Sequence, residues 1–315
     1  MECCKKQNKY CKKRLYDGGD RVVECKLLDL KNDIVFQEVF GNQKNSSITA
    51  HLISLIIGRE INNIDLDANK IMIGKGRDAK TGRLDIRAKF NDGEECNIEL
   101  QVVPYKYMAK RMLEYWAMMY SSKISIGESY KVLKPTISIL IADYKLDELK
   151  DIDKYHTIWN LREQEYCDKI ITSDMELHIL EIPKIKDNEV LKDELAQWLR
   201  FIEEPGNKEV EKFMNENKYL KQAMEELAHL SGEPGFQRLI EARVGFLRDQ
   251  KTFEICAKEE GKEEGREEGR EEGREEGREE GRKEEKIKMA QKLLKLNMPI
   301  EQIAELTKEE IEKLK

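Results

Sequence analysis

The chain has 315 residues, 39% hydrophobic and 38% charged, so it can bury a real core but must leave some segment largely solvated. Its net charge of −7 is uneven: residues 259–282, one EEGK followed by EEGR repeats, account for −6, and the rest is close to neutral and free to carry a basic face. No apolar run is long enough to span a bilayer, and no hydrophobic segment of secretory type follows the N-terminal lysines; together with cysteines at irregular spacing and without a CxxC pair, this points to a cytoplasmic chain with free thiols and no membrane partner.

Residues 1–26, with Lys5, Lys6, Lys9, Lys12, Lys13 and Arg14, read as a basic disordered arm. Asp29 is positioned to cap a helix running to Phe40, with Leu30, Ile34, Val35 and Val39 on one face and Gly41 ending it. A second apolar helix spans Ser47 to Ile57 and stops at Gly58. Residues 61–73 alternate and are rich in isoleucine, which predicts a strand. Gly74-Lys75-Gly76 lacks the spacing of a phosphate-binding loop and reads as a turn.

Two alternating runs follow, Leu84 to Phe90 and Cys96 to Val103, around the turn Asn91-Asp92-Gly93: a β-hairpin. Pro104 then opens a helix to about Lys123, with Met108, Met112, Tyr115, Trp116 and Met119 recurring at helical spacing towards the sheet. The β-branched run Thr136 to Ile141 suits a buried strand, and strands are predicted again at 156–161 and 176–182. Helices follow from Glu189 to Cys256, broken near Pro205-Gly206 and at Gly232 to Gly235.

The EEGR tract would be about 36 Å long as a helix. Its Glu263–Arg266 type pairs favour that helix, while like charges at i,i+4 and a glycine in each repeat oppose it, so the tract reads as a marginal helix or solvated spacer. Beyond it, Ile287, Ala290, Leu293 and Leu294 lie on one helical face, Asn297-Met298-Pro299 turns the chain, and Ile300, Ile303 and Leu306 begin another helix; Thr307 and Glu310 form a capping box. This tail suits a helix-turn-helix or a dimerisation unit, and its acidic surface argues against DNA contact.

The hairpin carries the chemistry. A three-residue loop with Gly93 left-handed pairs Phe90 with Glu94, which sets Asp85 opposite Glu99 and Arg83 opposite Gln101, all on one face. Two carboxylates directly opposite repel unless something compensates, and a divalent cation such as Mg²⁺ or Mn²⁺, which prefers oxygen ligands, does so. The competing reading places both acids on a solvent face beside lysine or arginine. Leu84, Ile86, Ile98 and Leu100 on the opposite face fix the register. The histidines His51, His156, His178 and His229 are scattered and read as structural.

Asp85, then Glu99-Leu100-Gln101 on the next strand and a helix after it, resembles the constellation of the PD-(D/E)XK nucleases. More narrowly, Lys31-Asn32-Asp33-Ile34-Val35-Phe36, Leu84-Asp85-Ile86, Ile98-Glu99-Leu100-Gln101, Lys110-Arg111 with Tyr115-Trp116, Gly127 with Tyr130, and Leu177 to Lys184 resemble the Rpn family of recombination-promoting nucleases, often labelled transposases. The resemblance implies an α/β restriction-endonuclease-like core, a mixed sheet flanked by helices, over residues 27–185. A helical region (186–257), the charged repeat (258–283) and a small helical tail (284–315) follow.

It further implies an Mg²⁺- or Mn²⁺-dependent DNA endonuclease. Asp85 and Glu99 would be metal ligands, Gln101 and Asp33 would complete the catalytic set, and Arg111, Lys110 and Tyr115 would contact DNA. Gln101 stands where many such enzymes have lysine and brings no positive charge. The alternative is a catalytically silent nuclease fold acting through its repeat and tail. An RNA nuclease would share the same site, and a homodimer through the C-terminal helices suits double-strand cutting.

Overall fold

The computed structural model describes residues 27–68, 71–73, 81–83, 85–186, 190 and 192–307. The basic arm, Gly74-Lys75-Gly76, Leu84 and Glu310 lie outside the described residues. The chain divides into two compact units between Glu241 and Ala242.

In the first unit, α1 (Asp33–Gly41) and α2 (Ser46–Ile57) precede β1 (Ile64–Ala68), β2 (Ile71–Ile73), β3 (Thr81–Arg83), β4 (Ile86–Phe90) and β5 (Glu95–Gln101). Then come α3 (Met108–Ser122), β6 (Thr136–Ala142), β7 (His156–Trp159) and β8 (Met175–Glu181). The helices α4 (Glu194–Glu203), α5 (Lys208–Met214) and α6 (Lys218–Ser231) follow. Six strands form one mixed sheet in the order β1-β4-β5-β6-β8-β7, while β2 and β3 make a separate ribbon. The strands β1, β4 and β5 are antiparallel neighbours, β5, β6 and β8 run parallel, and β7 pairs antiparallel with β8.

Helix α3 packs on one face: Met108 and Met112 join Leu140, Ala142, Leu177 and Ile179 in a buried cluster. The Trp116 indole N–H donates to Thr136 O at 2.8 Å and fixes the helix against β6. Helix α1 contacts β1, β4, α2 and α6, and α2 in turn packs against α4 and α6. Val35, Phe36, Val39, Phe40, Leu52, Ile53, Trp198, Phe201 and Leu220 are fully or almost fully buried there. The central strand β6 is buried along its whole length, as its isoleucine-rich run requires.

Several local readings change. Asn32, not Asp29, caps α1, its Oδ1 accepting from Ile34 N at 3.1 Å; Asp29 instead closes a turn with Lys31 N at 2.9 Å. Residues 61–73 hold two strands in different sheets, because alternation cannot distinguish one long strand from two short ones that change partner. Arg83 pairs with Ile71 in the ribbon instead of facing Gln101, and β4 begins at Ile86. The helix expected from Pro104 begins at Met108, after a turn in which Met108 N donates to Tyr105 O at 3.1 Å. A further break falls before α6, where Asn217 caps through Tyr219 N and Leu220 N, both at 3.0 Å.

Through the second unit runs α7 (Pro234–Lys295), which begins in the first. The EEGR tract is helical and exposed throughout, with the Glu263–Arg266 pair at 2.7 Å. Asn297, at φ 57°, turns the chain into α8 (Ile300–Thr307), and Ala290 and Ile303 are buried in this unit. Among the described residues no helix is long and apolar enough to cross a membrane.

The turn that sets the hairpin depends on Gly93, at φ 87°. Gly93→Ala is expected to lower unfolding stability by about 1–2 kcal/mol, read as a lower urea midpoint at an unchanged slope.

Candidate active site

The β4–β5 hairpin has the register that its turn predicts. Phe90 N donates to Glu94 O at 2.9 Å and Gly93 N to Phe90 O at 3.0 Å. Ile86 faces Ile98 and Ala88 faces Cys96, so the next pair outward is Asp85 and Glu99. Ile86, Ala88, Cys96 and Ile98 are fully buried on one side, which turns Asp85, Arg87, Asn97, Glu99 and Gln101 to the other. That is the side α3 covers, since Leu140, the parallel neighbour of Glu99, packs against Met108 and Met112.

Glu95, Glu99 and Glu181 are buried glutamates. Glu95 Oε2 accepts from Arg87 at 2.5 and 3.1 Å. Glu181 accepts from Leu146 N at 2.7 Å and pairs with Lys184 at 2.5 Å. Glu99 differs: among the described residues neither of its carboxylate oxygens closes a hydrogen bond, and Arg111 Nε stands 4.0 Å away. Burial pushes its pKa up to about 7; Arg111 and the Asn97 amide oppose the shift, and Asp85 adds to it.

Asp85 is half-buried at the mouth of β4, its Oδ2 accepting from Leu100 N at 3.2 Å. Burial raises its pKa too, against the Leu100 hydrogen bond, Arg111 and Gln37, while the charge of Asp33 adds to the rise. Asp33 opens α1, and the adjoining Lys31 is tied to Asp143 by an ion pair of 2.9 Å. Asp143 N in turn donates to Gln101 O at 3.0 Å, so the start of α1 is moored to the end of β5.

Gln101 turns its amide to Val103 O at 3.0 Å. Arg111 is half-buried over Tyr105 and Tyr115, its Cζ 5.9 and 5.1 Å from the two ring centres. Tyr115 thus supports the guanidinium, whereas Lys110 is exposed with its Nζ 5.6 Å from the Tyr107 ring. Asp85, Glu99 and Arg111 come together; the charge of Asp33 also acts on Asp85; Lys110 is exposed. Asp143 and the loop tyrosines Tyr105 and Tyr107 are site neighbours that the sequence motifs did not single out, and Lys31 stood in the first motif without a role. For the tyrosines the signal was present as aromatics alternating with lysine in Tyr105-Lys106-Tyr107.

The carboxylate pair, with Arg111 beside it, thus lies on antiparallel strands that a helix follows. Residues 30–254 match a family described as PD-(D/E)XK nuclease family transposase. The chain belongs to this family. No curated protein and no solved structure matches. Within the family frame, Asp85 and Glu99 have the chemistry to fit a divalent cation: both supply oxygen, and among the described residues the buried Glu99 carboxylate closes no hydrogen bond. Among the described residues no group of three or more His, Cys, Asp or Glu is arranged around one point.

The raised Glu99 pKa costs stability. The unfolded carboxyl titrates near its ordinary 4.5 and the folded one at about 7, so between these values the folded chain retains a proton the unfolded chain has released. Stability from this group therefore falls as pH rises through that window and levels off above it. In EDTA, Glu99→Gln is expected to stabilise the chain at pH 8 by about 2–3 kcal/mol, with the gain gone at pH 4; thermal melts at both values check this.

Proposed function

We propose that the chain is a divalent-metal-dependent endonuclease that hydrolyses phosphodiester bonds in DNA. The observation that carries this is the pair Asp85 and Glu99, opposed across one hairpin, with Arg111 Nε 4.0 Å from Glu99.

Asp85 and Glu99 would hold Mg²⁺ or Mn²⁺. When bound, the ion supplies a Lewis acid for the scissile phosphate and for an attacking water. The chain's own residues divide the remaining work. Glu99 accepts a cation in its ionised form, so loading strengthens as pH rises past about 7. Arg111 is permanently cationic and faces charge that grows on the phosphate oxygens, the role Gln101 lacks the charge to fill. Gln101, held by Val103 O, can only orient a neighbour. Lys110 and the helix face around it meet the DNA backbone. The reaction proposed for these groups is hydrolysis, with water as the attacking nucleophile.

The second reading is a catalytically silent nuclease fold. It is favoured by Gln101, whose amide is already engaged. Cleavage of supercoiled plasmid separates the two. Wild type is expected to nick with Mg²⁺ or Mn²⁺ and not in EDTA, and Asp85→Ala and Glu99→Ala to lose the activity. Arg111→Ala should slow cleavage by about 10²–10³-fold, with Arg111→Lys recovering part. A folded wild type inert with either metal favours the silent fold.

A further inference from the structure

Residues 102–107 join β5 to α3 directly beside the acids, and their side chains are unusual for a connection. Val103, Tyr105 and Tyr107 are 69%, 48% and 52% exposed. The two tyrosine rings meet edge to face, with centres 6.3 Å apart and planes at 81°. Lys106 and Lys110 place their Nζ atoms 5.7 and 5.6 Å from the Tyr107 ring. Arg111 lies 5.9 Å from the Tyr105 ring and, through its Nε, 4.0 Å from Glu99. The aromatic pad and the carboxylate pair therefore share one guanidinium.

Tyr107 occupies the N-cap of α3 and makes no side-chain cap, where Ser, Thr, Asp or Asn would stabilise the helix. Exposed rings beside a site, placed against local preference, mark a binding surface. The backbone is also held ready: Gln101 binds Val103 O, Met108 N binds Tyr105 O, and Arg111 N binds Tyr107 O. A tyrosine has few torsions to freeze, so a ring presented this way gives contact area at low entropic cost.

The chemistry of the pad selects its ligand. Aromatic faces stack on π-faces, and the surrounding cations match phosphates. In continuous duplex each base face is already covered by its neighbours, so the nucleic acid that complements such a surface has unpaired bases. We propose that Tyr105 and Tyr107 form a stacking pad for unpaired DNA bases next to the scissile phosphate, making the preferred substrate DNA with single-stranded character, such as an overhang, a flap or an extruded base. Lys106 and Lys110, resting on the ring, swing out to the flanking phosphates as a base stacks. This rests on the nuclease reading only for the cleavage that comes after binding; the pad itself is a binding site and is tested as one.

The test uses the full chain at fixed ionic strength, with Ca²⁺ in place of Mg²⁺. Fluorescein-labelled blunt duplex, flapped duplex and single-stranded DNA of one sequence are titrated, and 2-aminopurine in the unpaired segment reports stacking by quenching. The flapped and single-stranded probes should bind roughly tenfold or more tighter than blunt duplex, with quenching. Tyr105→Ala with Tyr107→Ala, in a variant that melts like wild type, should bring the ratio near one, and Tyr→Phe at both positions should keep it. Equal binding of all probes, no binding of any, or a preference that survives the double alanine overturns the pad. Preference without cleavage in Mg²⁺ or Mn²⁺ supports the pad while the nuclease reading fails. Cleavage without preference does the reverse.

Discussion

The pairing register of β4 with β5 is the constraint on which the site depends. Side chains alternate along a strand, so a slip of one residue would send Asp85 and Glu99 to opposite faces and leave Arg111 beside a single acid. The register is fixed from two directions. Gly93, left-handed at φ 87°, closes a three-residue loop, and Ile86, Ala88 and Ile98 can be buried only if the acids face the other way. The core of the fold and the chemistry of the site are thus two sides of the same strands.

One face of that hairpin shows how differently a protein can treat buried acids. Towards the turn, Glu95 is satisfied by two hydrogen bonds from Arg87, as a structural carboxylate should be. Two pleats further along, Glu99 is equally enclosed and Arg111 stands off at 4.0 Å, held back over the Tyr105 and Tyr115 rings. The result is a carboxyl titrating at about 7 beside a second acid, stability surrendered at the place where a cation would recover it. Arg111 stays close enough to both the acids and the approach to the site to act on phosphate charge.

Much of this was legible in the residues. The Asn91-Asp92-Gly93 turn and the flanking alternation were enough to place Asp85 against Glu99, because a hairpin's register follows from its loop length. The isoleucine-rich run at 136–142 announced a buried strand for the same local reason. Where partners are chosen over long range the sequence was silent. Residues 71–73 (Ile-Met-Ile) and 81–83 (Thr-Gly-Arg) are too short to carry a pattern, and nothing in them says that they pair with each other rather than extend β1 and β4. The cap of α1 moved from Asp29 to Asn32 because both residues suit a turn and only packing decides which one starts the helix. The mooring of Lys31 by Asp143 joins residues 112 apart and leaves no local trace.

That Asp85 and Glu99 together form a divalent-cation site is tested most directly by calorimetric titration of the metal-free chain with Mn²⁺ at pH 8. Saturable binding is predicted, lost in Asp85→Asn and in Glu99→Gln, with proton release that grows as the titration is moved down towards pH 7. Absence of Mn²⁺ binding by folded wild type, or binding that survives both substitutions, would contradict it.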